Sequence, residues 1–137
     1  MRTLTELCRR LGVTIVETCL LRPERNEEPP TGPFDAALVD VPCSNTGVLG
    51  RRPEVRWRLR PGDLPRLIAL QVRVLRGAAR YIRPGSIVVY STCSIEPGEN
   101  QGVVSQVADI LKLEAEKEQV PGRPSDGGYW ARLRRKT

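Results

Sequence analysis

Four cysteines and no histidine set the chemical repertoire of this 137-residue chain. Two of the cysteines stand in similar settings, Cys43 in D-V-P-C-S-N-T-G (40–47) and Cys93 in S-T-C-S-I-E-P-G-E-N (91–100). A thiol becomes a nucleophile only where its surroundings favour the thiolate. The absence of histidine excludes Ser-His-Asp and Cys-His catalysis, so a reactive thiol here needs another activating group. No C-x-x-C spacing occurs, which argues against a zinc site and for free thiols in a reducing compartment. Cys8 and Cys19 lie outside any motif and read as small buried hydrophobes. Gly47 and Gly50 are not followed by G-K-[ST], which excludes a nucleotide P-loop.

Each motif cysteine follows a short apolar run. Phe34 to Val39 reads as a strand buried on both faces, and Pro42, with no amide hydrogen to give to a ladder, marks its end. Ser86 to Tyr90 is a second buried strand. Between them Asp63 is placed to N-cap a helix that tolerates Pro65 in its first turn. Leu64, Leu67, Ile68, Gln71, Leu75, Ala78 and Ile82 share one face of that helix; Arg66, Arg73, Arg76, Arg80 and Arg83 share the other, and Pro84-Gly85 ends it. Strand, crossover helix and strand in this order predict a right-handed βαβ unit with parallel strands. Both thiols then reach the carboxyl edge, where open α/β sheets keep their ligands. The remaining elements read as a helix over Thr3–Arg10 closed by Gly12, and a strand over Val13–Thr18, displaced or paired with the strand at 35–40. A Pro-rich loop over Arg22–Pro33 and a second loop over Gly47–Pro61 follow from their turn residues. Pro97–Leu113 reads as an amphipathic helix with Glu99 as its cap, and strands are expected over Leu113–Val120 and Tyr129–Arg135. The last two predict an antiparallel end to the sheet.

D-V-P-C-S-N-T-G with the following R-R-P-E-V-R-W, S-T-C-S-I-E-P-G-E-N after a strand, the L-x-x-L-I-A-L-Q helix between them and the closing G-G-Y-W-A-R-L-R resemble, in order, the RNA cytosine-5 methyltransferases. The two cysteine segments are similar to the fourth and sixth motifs of these Sun/Nop-type S-adenosylmethionine enzymes. The intervening helix looks most like the bacterial branch that acts on small-subunit ribosomal RNA. The resemblance covers Leu7 to Lys136. It implies an α/β fold: a partial Rossmann-like class I methyltransferase, mostly parallel with an antiparallel strand near its carboxyl end. Residues 1–137 would be the carboxyl-terminal portion of one such domain, with the first strands and the glycine-rich cofactor loop expected before residue 1. The cofactor implied is S-adenosyl-L-methionine. By the same resemblance Cys93 attacks C6 of the cytosine, Cys43 assists release, Asp40 holds the cytosine edge, and Asp40 and Pro42 lie against the cofactor. Thr92, Ser94 and Asn100 would shape the loop that carries the nucleophile. One departure is that the family's aspartate after the strand near 14–18 is replaced by Cys19-Leu20-Leu21-Arg22.

Charge supports a nucleic-acid partner. The net formal charge is +6, but the segment Arg51–Arg83 alone carries ten arginines against Glu54 and Asp63. Such a concentration suits a phosphate backbone, with a solvated helix face as the bland alternative. Arg51, Arg52, Arg56 and Trp57 are the candidate RNA contacts; Trp57 stacks a base or, as a tryptophan in a loop more often does, plugs an apolar gap. Asp40 has a structural alternative as a cap for the amides of Ser44 to Gly47. Ribosomal RNA is the first partner expected and transfer RNA the second; no membrane and no metal are expected. The lack of an apolar run long enough for a membrane span, and of a signal-peptide core, predicts a soluble cytoplasmic protein. Two other functions are weighed: a non-catalytic basic RNA-binding remnant, and an amino-methyltransferase, which would place an aromatic residue where Cys43 stands.

Overall fold

Strand β2 (Ile82–Thr92) is the axis of the sheet. Its alternate residues Val88 and Tyr90 have no exposed surface, as the two-residue period of a strand with one covered face requires. A computed structural model describes residues 2–19, 31–122 and 124–137. The chain divides into two compact units, Met1–Gly32 and Pro33–Thr137, and the second holds the sheet.

Four strands lie in the order β1 (Phe34–Asp40), β2, β4 (Gly128–Arg135), β3 (Leu111–Gln119). β1 and β2 are parallel and in register at their carboxyl ends, with Val39 opposite Tyr90 and Asp40 opposite Ser91. β4 runs antiparallel to both β2 and β3. Three strands therefore share one direction and β4 opposes them, which is the expected mixed sheet. The long helix α3 (Asp63–Tyr81) connects β1 to β2 and packs on both, burying Gln71, Leu75 and Ala79. The short α4 (Gln101–Ser105) contacts α3 and adds Val103 and Val104 to the same core. Val39, Val88, Tyr90, Tyr129, Ala131 and Leu133 supply the sheet side of that core.

Several local expectations are corrected. β1 is not buried on both faces: Ala37 and Val39 turn to the core, whereas Leu38 is 73% exposed. Both α3 and α4 contribute to the core on Val39's side, which is the face of β1 that is buried. Asp63 is the first residue of α3, not its cap; Gly62 holds the cap position, and the Asp63 carboxylate accepts the Arg60 N–H at 2.9 Å, closing the turn before the helix. Helix gives way to strand at Ile82, so Ile82 and Pro84-Gly85 belong to β2, with Gly85 at φ +80° beside an irregularity in its pairing with β1. The expected helix over 97–113 is only five residues long. Its β-branched valines favour helix weakly, and bonds from Gln106 to Val103, Val107 to Val104 and Ile110 to Val107 tighten the chain into turns before β3 starts at Leu111. The 47–61 loop carries a 3-10 turn at its start (Thr46–Val48) and one helical turn, α2 (Val55–Arg58).

In the first unit α1 (Arg2–Arg10) ends as predicted: Gly12, at φ +67°, donates to Arg9 O and Val13 donates to Cys8 O, the paired bonds of a glycine-closed helix. Val13 to Thr18 forms no strand, because a strand exists only through a partner's hydrogen bonds and none is made among the described residues. Cys19 is exposed and Cys8 half-buried rather than buried, since residues 3–19 form no core of their own. Most of the loop expected at 22–33 lies outside the described residues, which include only 31–33 of it. Among the described residues no helix is long and apolar enough to cross a membrane.

Candidate active site

The parallel register delivers the two motif loops side by side. Val41 N–H continues the ladder to Ser91 O at 3.3 Å, after which Pro42 turns the first loop away and β2 ends at Thr92. Gly47 then bridges the loops, its N–H donating to Cys93 O at 3.0 Å and its carbonyl accepting the Gly127 N–H at 2.8 Å. A side chain cannot fit there: a Cβ on Gly47 would stand 2.5 Å from Gly127 O and 2.9 Å from Cys93 O. Thus one glycine holds three backbone segments together.

The thiols of Cys43 and Cys93 meet at 3.3 Å. Cys43 is buried and Cys93 half-buried. Burial is the largest influence on Cys43 and pushes its thiol up to about 12; hydrogen bonding to Cys93 adds to the rise. Cys43 therefore keeps its proton at neutral pH. Cys93 donates to Asn45 Oδ1 at 3.0 Å, and Asn45 Nδ2 donates to Cys43 O at 2.8 Å.

Beneath the thiols lies a polar hub that the sequence did not disclose. Glu99 is fully buried and is not a helix cap. Its oxygens accept the Ser44 N–H (2.9 and 3.2 Å), the hydroxyls of Ser44 and Ser94 (2.5 Å each) and Gln71 Nε2 (2.8 Å). One carboxyl group so joins the loop after β1, the loop after β2 and α3. Gln71 also donates to Pro42 O at 2.9 Å, and Tyr90 donates through its hydroxyl to Glu99 O at 2.7 Å. The lone glutamine on the apolar face of α3 was the available signal for this network. Thr92, Ser94 and Asn100 do shape the second loop: Thr92 Oγ1 donates to Asn100 Oδ1 at 2.7 Å and Asn100 Nδ2 to Ser94 O at 3.0 Å.

Asp40 stands at the same sheet edge with an exposed side chain, accepting the Ser91 hydroxyl at 3.2 Å. It does not cap the Ser44–Gly47 turn, whose Ser44 and Gly47 amides are taken by Glu99 and Cys93 O. Pro42 is exposed beside it. A cleft of about 350 Å³ opens next to Cys43, Ser44 and Asn45, with Val55, Leu59 and Leu67 on its wall and Arg52, Arg58 and Arg66 around it. Of the candidate RNA contacts, Arg52 lines this cleft; Arg51 pairs with Asp126 at 3.0 Å, and Arg56 is exposed on α2. Trp57 is 86% exposed, so the gap-filling reading is wrong: α2 turns the indole away from the core. The arginine face of α3 is partly committed, with Arg76 gripping Asp109 through both nitrogens; Arg83, expected on that face, lies instead in β2 and pairs with Asp35.

Comparisons with known proteins bear on the family and the fold. The family described as 16S rRNA methyltransferase RsmB/F matches residues 1–128. The ribosomal RNA small subunit methyltransferase B of Serratia proteamaculans is 38% identical over 111 residues, covering 73% of this chain and 26% of that protein. A probable ribosomal RNA small subunit methyltransferase B of Synechocystis is 39% identical over 100 residues, covering 71% and 22%. The chain spans about a quarter of the length of these relatives. Among solved structures, PH0851 superposes with a TM-score of 0.85 at 30% identity over 98% of this chain and 34% of its own. NSun6 from Pyrococcus horikoshii, solved with SFG, gives 0.83 at 25% identity over 99% and 38%. The chain belongs to the 16S rRNA methyltransferase RsmB/F family.

Proposed function

We propose that residues 1–137 are the carboxyl-terminal portion of one S-adenosylmethionine-dependent methyltransferase domain, which moves a methyl group to C5 of a cytosine in small-subunit ribosomal RNA. The observation that carries this reading is the pair of thiols 3.3 Å apart at the shared exit of two parallel strands. Cytosine C5 is a poor nucleophile until a thiolate adds to C6. Cys93, the more exposed of the two, is the nucleophile: its S–H proton passes to water, and an S–C6 bond forms as the C5=C6 π pair moves onto C5, the atom that takes the methyl group. Once C5 is methylated, water takes the C5 proton, the C5=C6 bond re-forms and the S–C6 pair returns to the Cys93 sulfur. Cys43, which holds its own proton at neutral pH, then donates a hydrogen bond to the departing sulfur and eases its release. An unpaired or looped RNA presents such a base at least cost.

Asp40 and Pro42 are the residues that would meet the cofactor, whose part is to supply an electrophilic methyl group. The fit rests on Asp40: its carboxylate is exposed at the carboxyl edge of β1, and among the described residues only Oδ1 is occupied, by Ser91. That leaves an acceptor facing the usual ligand crevice of an α/β sheet. The ligand SFG in the NSun6 neighbour, an analogue of S-adenosylmethionine, supports the same cofactor class. Asp40 also holds the cytosine edge in this reading, while Arg51, Arg52, Arg56 and Trp57 follow the RNA beyond it. The test is a chimera in which this chain replaces its matching segment in the Serratia relative, incubated with S-adenosylmethionine and small-subunit ribosomal RNA. Nucleoside mass spectrometry should find 5-methylcytidine, lost in Cys93→Ala. Another methylated nucleoside, or 5-methylcytidine that survives Cys93→Ala, overturns the reading.

The exposed Trp57 serves RNA contact equally in a second reading, a basic RNA-binding module without methyl transfer. It predicts salt-dependent RNA binding that Cys93→Ala leaves unchanged, with no cofactor binding.

A further inference from the structure

Asn45 is the one non-glycine residue with positive φ among those described, at φ 61° and ψ 23°. That left-handed conformation is open to glycine at lowest cost and to asparagine next. Glycine would meet the backbone's demand, so what the asparagine adds is its amide group. The amide is pinned at both ends. Its Nδ2 donates to Cys43 O at 2.8 Å, and its Oδ1 lies 3.0 Å from Cys93 Sγ. Exchanging the two ends would set an amide oxygen against a carbonyl oxygen, so the network itself fixes which end faces the thiol. An acceptor aimed at a thiol favours S–H over S⁻.

We infer that Asn45 is a positioning residue that keeps Cys93 protonated and aligned until a substrate takes Oδ1 from it. For its catalytic consequence this rests on the role proposed above for Cys93; the thiol's resting state does not depend on that role. An amino group on an incoming base would compete for Oδ1, after which the Cys93 proton passes to water and the sulfur is free to bond. Nucleophile activation is thereby tied to occupation of the crevice. The other titratable and charged groups around the pair stay in place when Asn45 is changed. They are Cys43 on the same loop, Tyr90 in β2, Glu99 below, whose oxygens are engaged by Ser44, Ser94 and Gln71, and Arg52, Arg58, Arg66, Glu54 and Asp63 around the adjoining cleft.

The experiment uses the full chain without RNA or cofactor. Iodoacetamide alkylation is followed across pH, and the extent at Cys93 is read on its own peptide by mass spectrometry. Asn45→Gly keeps the backbone conformation and removes the acceptor, so the midpoint should fall by about one pH unit, roughly tenfold more thiolate at a fixed pH below it. Asn45→Asp sets a negative charge beside the sulfur and should raise the midpoint. A midpoint for Asn45→Gly that equals or exceeds the parent's overturns the inference, as does a fall in Asn45→Asp. Neither result touches the methyl-transfer reading, which is decided by the chimera's product.

Discussion

Glu99→Ala removes a carboxyl group that joins both motif loops to α3. Its cost can be worked from the donors left behind. The Ser44 and Ser94 hydroxyls are 3.0 Å apart and can turn toward each other, and Gln71 Nε2 keeps its bond to Pro42 O at 2.9 Å. Among the described residues the Ser44 N–H has no other acceptor. A buried donor left unpaired costs about 1–3 kcal/mol, and weakened bonds to a carboxyl group add to that, so a loss of about 3 kcal/mol is expected. With a urea dependence of about 2 kcal/mol/M for a chain of this size, the unfolding midpoint should fall by roughly 1.5 M. Glu99→Gln is the control. Its oxygen can still accept from Ser44 N–H and Gln71 while its amine donates to the two hydroxyls, so the loss should be about 1 kcal/mol. Urea unfolding followed by far-ultraviolet circular dichroism measures both. A Glu99→Ala midpoint within about 0.3 M of the parent, or a Glu99→Gln loss as large as the alanine's, would refute the hub.

Other outcomes follow from the same geometry. Gly47→Ala drives a Cβ to 2.5 Å from Gly127 O, so it should destabilise by about 1–3 kcal/mol in the same urea assay, where Gly50→Ala, with nothing within 4 Å, should be nearly neutral. Cys43 is raised in the folded state from 9.0 to about 12, so its contribution is complete below pH 9 and is lost as pH rises toward 12. Tyr90 and Tyr129, raised mainly by burial, act in the same direction, so Cys43→Ala should reduce the alkaline fall in melting temperature without abolishing it. Trp57→Ala should leave stability within about 0.5 kcal/mol of the parent, because the indole is 86% exposed, while weakening single-stranded RNA binding by about 1–3 kcal/mol in fluorescence anisotropy.

The strands and the thiol meeting were legible because they rest on short-range patterns. Apolar runs ended by Pro42 and Thr92, joined by one amphipathic helix, leave a parallel pair as the economical topology, and in-register exits bring Cys43 and Cys93 together. What was misread depended on partners distant in sequence. Glu99 near a helix start looks like a cap, and only the approach of Ser44 across 55 residues makes it a hub. Leu38 looked buried because its neighbours are apolar, yet exposure is set by what lies over a strand. Val13–Thr18 carries β-branched side chains, but propensity cannot supply a ladder. Trp57 shows the converse: indoles usually pack, and the short α2 turn overrides that preference.

The central claim is that Cys93 bonds to the base while Cys43 stands beside it. RNA carrying 5-fluorocytosine blocks loss of the C5 substituent and should trap the chimera with S-adenosylmethionine as a stable protein–RNA adduct. Digestion and mass spectrometry should place the nucleotide on the peptide containing Cys93, with Cys43→Ala still forming the adduct. A nucleotide mapped to Cys43, or an adduct that persists in Cys93→Ala, would contradict the account.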